Sequence, residues 1–132
     1  MVTARNLLLK AFKRKKKVLF ADETCFTKRT IPRKTFASKG NNIQVNMELL
    51  NKGYRSALCA INTVGEVEHL KVTRKAVNAK KYISWLRMLR KKLDEDGVHL
   101  FVDNLSSHKT PKVMKTYDEL GIVPVFNSTY AP

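Results

Sequence analysis

The sequence predicts one α/β domain in which helices flank a mixed β-sheet. Its 132 residues, 43% of them hydrophobic, suffice for a single domain with a buried core. Short apolar runs bounded by turn residues alternate with amphipathic stretches at helical spacing. The early strands follow one another directly, whereas helices separate the later strands. We therefore expect antiparallel pairing early in the chain and parallel pairing late.

The N-terminal part predicts a short helix and then a central strand. Residues 3–17 end in a basic run, which favours a helix because cations stabilise a helix C-terminus. Residues 18–21 form a compact apolar run typical of a buried strand, which Cys25 and Phe26 can extend. Residues 28–39 are basic and contain a proline, a pattern that indicates a loop or an edge strand.

The rest of the chain predicts a hairpin followed by two strand–helix units. Turn residues and apolar spacing set the expected limits, with Asn78 and Thr110 as helix caps and Gly121 as a helix stop. The predicted elements are strands over residues 54–64, 67–72, 98–102 and 122–126, and helices over residues 79–95 and 111–120.

Two of the apolar runs lead into an aspartate. Asp22 follows the first central run, and Asp103 follows residues 98–102. Two carboxylates side by side on neighbouring strands suit Mg²⁺, which prefers oxygen ligands and acts on phosphate. Glu23 is expected to point to the opposite face, since side chains alternate along a strand. The alternative is that both aspartates only form turns at strand ends.

Two polar residues just after Asp103 are candidates for a supporting role. Asn104 can hold the carboxylate of Asp103 by a hydrogen bond. His108 can orient a water molecule or contact phosphate. The alternative for His108 is a histidine that caps a helix or is hydrogen-bonded within a loop.

The charge of the chain predicts a polyanionic partner. Lys and Arg number 26 against 11 Asp and Glu, which gives a net charge of +15. Nucleic acid is the first candidate, although such a charge can also serve solubility alone. The basic residues expected to line a DNA path are Lys28, Arg29, Arg33, Lys34 and Lys39. The basic run before residue 18 can contact phosphate, act as a nuclear import signal or be a solvated surface.

Other patterns exclude several classes of protein. Cys25 and Cys59 do not form a CxxC pair, so we expect small core hydrophobes rather than a zinc site. His69 is expected on the surface or hydrogen-bonded. The sequence has no glycine-rich phosphate loop and no HExxH motif. It also has no apolar run long enough to span a bilayer and no signal peptide, so no membrane partner is expected.

Three segments together resemble one family. VLFADE at residues 18–23 resembles the first acidic strand of the mariner-type DDE/DDD transposases and their bacterial insertion-sequence relatives. LFVDN at residues 100–104, followed by His108, resembles their second acidic strand. Residues 122–132 are similar to the strand and Tyr-Ser-Pro loop that lead to the third acid, with Ala131 in place of serine.

The resemblance implies a ribonuclease-H-like fold and cut-and-paste DNA transposition. Residues 18–132 would be part of the catalytic domain, and residues 1–17 a basic N-terminal segment or linker. Asp22 and Asp103 would bind two divalent ions, Mg²⁺ or Mn²⁺, that drive hydrolytic nicking and strand transfer. The third acid is expected beyond Pro132, so the C-terminal part of the domain is missing and activity is expected to be incomplete.

The resemblance also implies partners and a location. Transposon ends and target DNA are the expected ligands, and the family works as a homodimer. The protein is expected in the nucleus of a eukaryote, and otherwise in the cytoplasm. One alternative is a basic nucleic-acid-binding protein that uses the same fold without catalysis. Another is a different ribonuclease-H-like nuclease.

Overall fold

The helices and strands follow the predicted order. The structure is a computed structural model that describes residues 3–26, 39–40, 53–103 and 106–127. In chain order its elements are α1 (Ala4–Lys13), β1 (Val18–Phe26), β2 (Arg55–Asn62), β3 (Val67–Thr73), α2 (Ala79–Lys91), β4 (Val98–Val102), α3 (Pro111–Leu120) and β5 (Ile122–Phe126). A short 3-10 helix at Ser106–Lys109 lies between β4 and α3.

The strands of the described chain form a five-stranded sheet in the order β3-β2-β1-β4-β5. Strand β1 pairs antiparallel with β2, and β2 pairs antiparallel with β3. On its other side β1 pairs parallel with β4, and β4 pairs parallel with β5. The predicted mixed α/β sheet is confirmed, and β1 lies at its centre.

Helices α2 and α3 cover one face of the sheet, which we call the helix face. In α2 the buried side chains are Tyr82, Trp85, Leu86 and Leu89, whose spacing places them on one side of the helix. They pack against side chains such as Leu100 that the central strands direct to the same face. As predicted, Asn78 caps this helix, and its side chain accepts a hydrogen bond of 3.0 Å from the Lys81 amide.

The opposite face of the sheet, which we call the cleft face, is only partly covered. Helix α1 contacts β5 and β1 there, and its Ala11 is buried. Further along the sheet, Leu70 and Val72 of β3 are 52% and 57% exposed. The register pairs Leu70 with Cys59, so the apolar surface extends over adjacent strands.

Strand β1 continues to Phe26, an extension that the sequence allowed, so Asp22 lies inside the strand. Other boundaries differ from the expectation. Strand β2 ends at Asn62, two residues early. Helix α2 ends at Lys91 and not at Glu95. The Arg90 guanidinium donates to the carbonyl oxygens of Leu93 and Glu95, and it also pairs with Asp96. Consecutive acids at a helix C-terminus oppose the helix dipole, which disfavours its continuation.

No helix among the described residues is long and apolar enough to cross a membrane.

Candidate functional site

Asp22 lies on β1, and Asp103 directly follows β4, the parallel neighbour of β1. Phe20 pairs with Phe101, an offset of 81 residues, and the same offset separates the two aspartates. Neighbouring strands lie roughly 5 Å apart, so this register brings the two carboxylates side by side. The two residues were predicted as neighbours, and the parallel register provides the physical reason.

Both aspartates line one cleft of about 420 Å³. The remaining lining is mostly apolar and comprises Phe20, Ala21, Cys59, Ile61, Phe101 and Asn127. The rings of Phe20 and Phe101 lie 5.6 Å apart, centre to centre, and form part of the cleft. The acids therefore stand beside an apolar surface, where attraction to a cation is screened less than in open water.

Asp22 is exposed at the surface of β1. Its Oδ1 accepts a hydrogen bond of 2.8 Å from the Glu23 amide, which fixes the orientation of the carboxylate. Glu23 itself pairs in register with Leu58, a residue of the helix-face core. Glu23 therefore points away from the cleft, as the alternation of side chains predicted.

Asp103 is held differently, because a buried histidine lies next to it. Nδ1 of His108 is 2.9 Å from Oδ1 of Asp103, and the two side chains are 4% and 45% exposed. Neither ring nitrogen of His108 has a partner in hydrogen-bond geometry among the described residues. The short distance nevertheless places the edge of the ring directly against the carboxylate. Burial favours a role in holding Asp103 over a direct contact with phosphate.

A cluster of buried aromatic rings supports His108. The ring of Tyr82 stacks on His108 at 4.2 Å between centroids and 15° between planes. The hydroxyl groups of Tyr82 and Tyr117 share a hydrogen bond of 2.7 Å. Burial raises the pKa of Tyr117 to about 12 and raises the pKa of Tyr82 well above its ordinary value. Both phenols are therefore neutral near the acids, and they tie α2 and α3 to the site.

The sequence did not reveal this cluster. The local signal was present, since Tyr82 and Tyr117 both lie on the apolar stripes of their helices. The contact between them joins residues 35 positions apart, which helical periodicity does not encode.

The expectations for the cysteines and for His69 were wrong. Cys25 is exposed, with its Sγ 3.0 Å from the Tyr54 hydroxyl oxygen, and Cys59 is half-buried in the cleft. Cys59 pairs in register with Asp22 on the cleft face, whereas Cys25 lies near the end of β1 on the same face as Glu23. His69 is buried, stacks on Trp85, and has no hydrogen-bond partner among the described residues.

Most of the predicted DNA-contacting residues cannot be placed. Lys39 is exposed in a turn beside Gly40. The other predicted contacts and the predicted support for Asp103 lie outside the described residues: Lys28, Arg29, Arg33, Lys34 and Asn104.

The donor set of the cleft fits a hard divalent cation. Two carboxylates supply oxygen ligands, and the cleft around them is open to solvent and substrate. Within the described ranges no group of three or more His, Cys, Asp or Glu side chains is placed to hold a metal. The described site is thus a pair of acids, to which Mg²⁺ would add waters and substrate oxygens.

Similarity to solved structures is consistent with this geometry. The chain is 21% identical to a Mos1 transposase paired-end complex with left transposon end, at a TM-score of 0.67, over 98% of this chain and 41% of that one. The Mos1 mariner paired end complex with Mn is 20% identical, at a TM-score of 0.68, over 98% of this chain and 42% of that one. The Mos1 transposase catalytic domain with Raltegravir and Mg is 20% identical, at a TM-score of 0.65, over 98% of this chain and 60% of that one.

These similarities establish the fold as ribonuclease-H-like, as the sequence predicted. The chain spans between 41% and 60% of the length of those three solved chains. Comparison with curated proteins finds no match. A sequence model of one family, described as DDE superfamily endonuclease, matches residues 17–132 and so covers both aspartates and the whole sheet. The chain belongs to the DDE superfamily endonucleases.

Proposed function

We propose that this chain forms the metal-dependent catalytic core of a DNA transposase. The observation that carries the proposal is that the carboxylates of Asp22, on β1, and Asp103, directly after its parallel neighbour β4, line one open cleft. The net charge of +15 suits a DNA substrate. The Mos1 complex with a transposon end and the family description support the same activity.

In this proposal the two aspartates hold one or two divalent ions. Mg²⁺ or Mn²⁺ bound there would supply Lewis-acid activation of a nucleophilic oxygen and of the phosphodiester. The Mos1 structures named with Mn and with Mg support the choice of ion. The remaining work belongs to this chain: Glu23 orients Asp22 through its amide, and His108 keeps the Asp103 carboxylate near one position.

The proposal also covers the substrate and its setting. Transposon ends and target DNA are the ligands, and nicking followed by strand transfer is the reaction. Residues 18–132 provide part of the catalytic domain, with residues 1–17 as a basic segment or linker ahead of it. Such an enzyme works where DNA is held, in the nucleus of a eukaryote or in the cytoplasm of a bacterium.

Metal binding tests the site directly. We expect Asp103→Asn to weaken Mn²⁺ binding by more than about tenfold, because even residues that only support a metal ligand contribute about that much. Titration calorimetry with Mn²⁺ and Mg²⁺ measures the effect. Asp94→Asn is the matched control, because it removes the same charge from an exposed position outside the cleft.

Two results would count against the proposal. Unchanged Mn²⁺ binding by Asp103→Asn contradicts the metal site itself. If the wild-type chain binds DNA but binds neither Mn²⁺ nor Mg²⁺, it is better explained as a nucleic-acid-binding protein without catalysis.

A further inference from the structure

A second basic surface lies on the outer side of the helix layer, away from the acids. It is a groove of about 780 Å³ between α2 and the start of α3. Its cationic lining consists of Lys80, Arg87, Lys91 and Lys112, all of them exposed. We call this surface the α2–α3 groove. None of its described lining residues lines the acid cleft.

The cations of the groove have no acidic counterpart in the described structure. The ion pairs found among described residues involve none of these four side chains. The described lining of the groove also contains no Asp or Glu. Like charges gathered in this way repel one another, and the repulsion is relieved when an anion binds between them.

The positions of the lysines on their helices add to the positive potential. Lys80 lies in the first turn of α2, and Lys112 lies in the first turn of α3. Neither first turn contains an acidic residue. A helix N-terminus is already positive, so lysines there are unfavourable for the helix and favourable for a bound anion.

The spacing of the cations fits a row of phosphates. Lys80, Arg87 and Lys91 follow one another at intervals of seven and four residues, which keeps them on one side of α2. At 1.5 Å per residue they extend over roughly 16 Å. One strand of duplex DNA places about five phosphates along that length.

The cations of the groove, and not its floor, argue for nucleic acid. The floor is apolar, with Met88 44% exposed and Ile83 half-buried. The charged lining around it is of one sign. A row of single-sign charges matches a sugar–phosphate backbone, which carries a regular row of opposite charges.

The groove and the acids cannot serve one short straight duplex. The α2 side chains that pack on the sheet occupy its helix face, whereas Asp22 and Asp103 open onto the cleft face. The groove lies on the side of α2 away from the sheet, and a helix with its side chains is about 10 Å across. DNA has a persistence length of about 150 base pairs and does not reverse direction over such a distance without a large bending cost.

We propose that the α2–α3 groove binds the backbone of a second DNA duplex while the acid cleft holds the first. Lys80, Arg87, Lys91 and Lys112 contact its phosphates, so binding is independent of sequence and weakens with salt. The site goes beyond the proposed catalysis, since it requires neither metal nor strand cleavage.

A bridging assay tests the proposal with the full chain. A biotinylated duplex on beads captures the protein, and a fluorescent second duplex of arbitrary sequence is then added in a buffer without divalent metal. We expect the wild type to retain the fluorescent duplex. We expect K80Q/R87Q/K91Q/K112Q to retain about tenfold less while still binding the beads, since each lost phosphate contact removes about 0.9 from the salt slope.

Two further variants decide between the groove and charge in general. K10Q/K13Q/R14Q/K15Q removes the same number of charges from exposed positions in and just after α1, and should bridge like the wild type. K80R/K91R/K112R keeps the groove cationic and should also bridge. Circular dichroism checks that each variant is folded.

The proposal is overturned by any of three results. The wild type does not bridge, the groove variant bridges as well as the wild type, or the α1 variant loses as much as the groove variant. A dimer with one DNA site per chain could also bridge two duplexes. In that case the groove variant would bridge as well as the wild type, which is the second of these results. Loss of Mn²⁺ binding by Asp103→Asn tests the catalytic proposal separately and leaves this one standing.

Discussion

The two faces of the sheet differ in how completely other parts of the chain cover them. The helix face is closed over Tyr82, Trp85 and Leu100, which are almost wholly inaccessible. The cleft face leaves Leu70 and the acid pair open to solvent. Burial on one face supplies stability, and this lets the other face keep charged and apolar groups exposed for binding. We therefore expect substitutions on the helix face to lower the free energy of unfolding. Substitutions in the cleft should mainly weaken binding.

The largest effect is expected at the centre of the helix face. Trp85→Ala should lower the free energy of unfolding by about 3–5 kcal/mol, because it removes a fully buried ring and leaves a cavity. Phe101→Ala on the cleft face should cost about half as much or less, since that ring is only half-buried. Urea unfolding followed by circular dichroism measures both. Equal losses would contradict the contrast between the faces.

The tyrosine pair provides an intermediate effect. Tyr117→Phe leaves the buried hydroxyl of Tyr82 without its partner, and we expect a loss of about 1–3 kcal/mol in unfolding free energy. The double variant Tyr82→Phe/Tyr117→Phe should lose less than the two single losses combined, because no unpaired hydroxyl remains. Additive losses would show that the hydrogen bond contributes nothing.

The same pair predicts a loss of stability at high pH. Burial raises the pKa of Tyr117 from 10.0 to about 12, so the unfolded chain releases its proton first. The contribution of the neutral Tyr117 side chain to the free energy of unfolding is complete below pH 10.0. It falls as the pH rises from there towards about 12. Unfolding midpoints measured over this range should drop more steeply for the wild type than for the double variant.

The smallest effect is expected at His69. Burial, and then the nearby charges of Lys92 and Lys71, lower the pKa of His69 below its ordinary 6.5. The unfolded chain then binds a proton more readily than the folded chain. The contribution of neutral His69 to the free energy of unfolding is therefore complete above pH 6.5 and falls as the pH drops below that value. His69→Phe keeps a ring against Trp85 and should flatten this dependence. Urea unfolding of both proteins at pH values on either side of 6.5 measures the difference, and an unchanged dependence in His69→Phe would contradict the assignment.

Local pattern predicted the elements better than the site. The strand at residues 98–102 and the helix stop at Gly121 were correct because apolar runs and turn residues determine them locally. The α2 end was wrong because Arg90 binds carbonyl oxygens beyond the helix, a contact that hydrophobic spacing does not contain.

The sequence predicted the two acids of the candidate site but not the side chains that hold them in place. Asp22 and Asp103 could be found because each follows an apolar run, and parallel strands bring such positions together. The burial of His108 against Tyr82 depends on how α2 packs over the short helix that follows β4. Such packing between distant segments leaves no trace in local periodicity.

The register of β1 with β4 also has a kinetic consequence. Bringing Asp22 beside Asp103 closes a segment of 81 residues, which costs about 4 kcal/mol of chain entropy before any contact between the strands offsets it. Contacts of such long range form slowly compared with the β2–β3 hairpin. The acid pair is therefore assembled only in chains that have completed the sheet. A nascent or partly folded copy of this chain would carry both aspartates and yet lack the assembled acid pair.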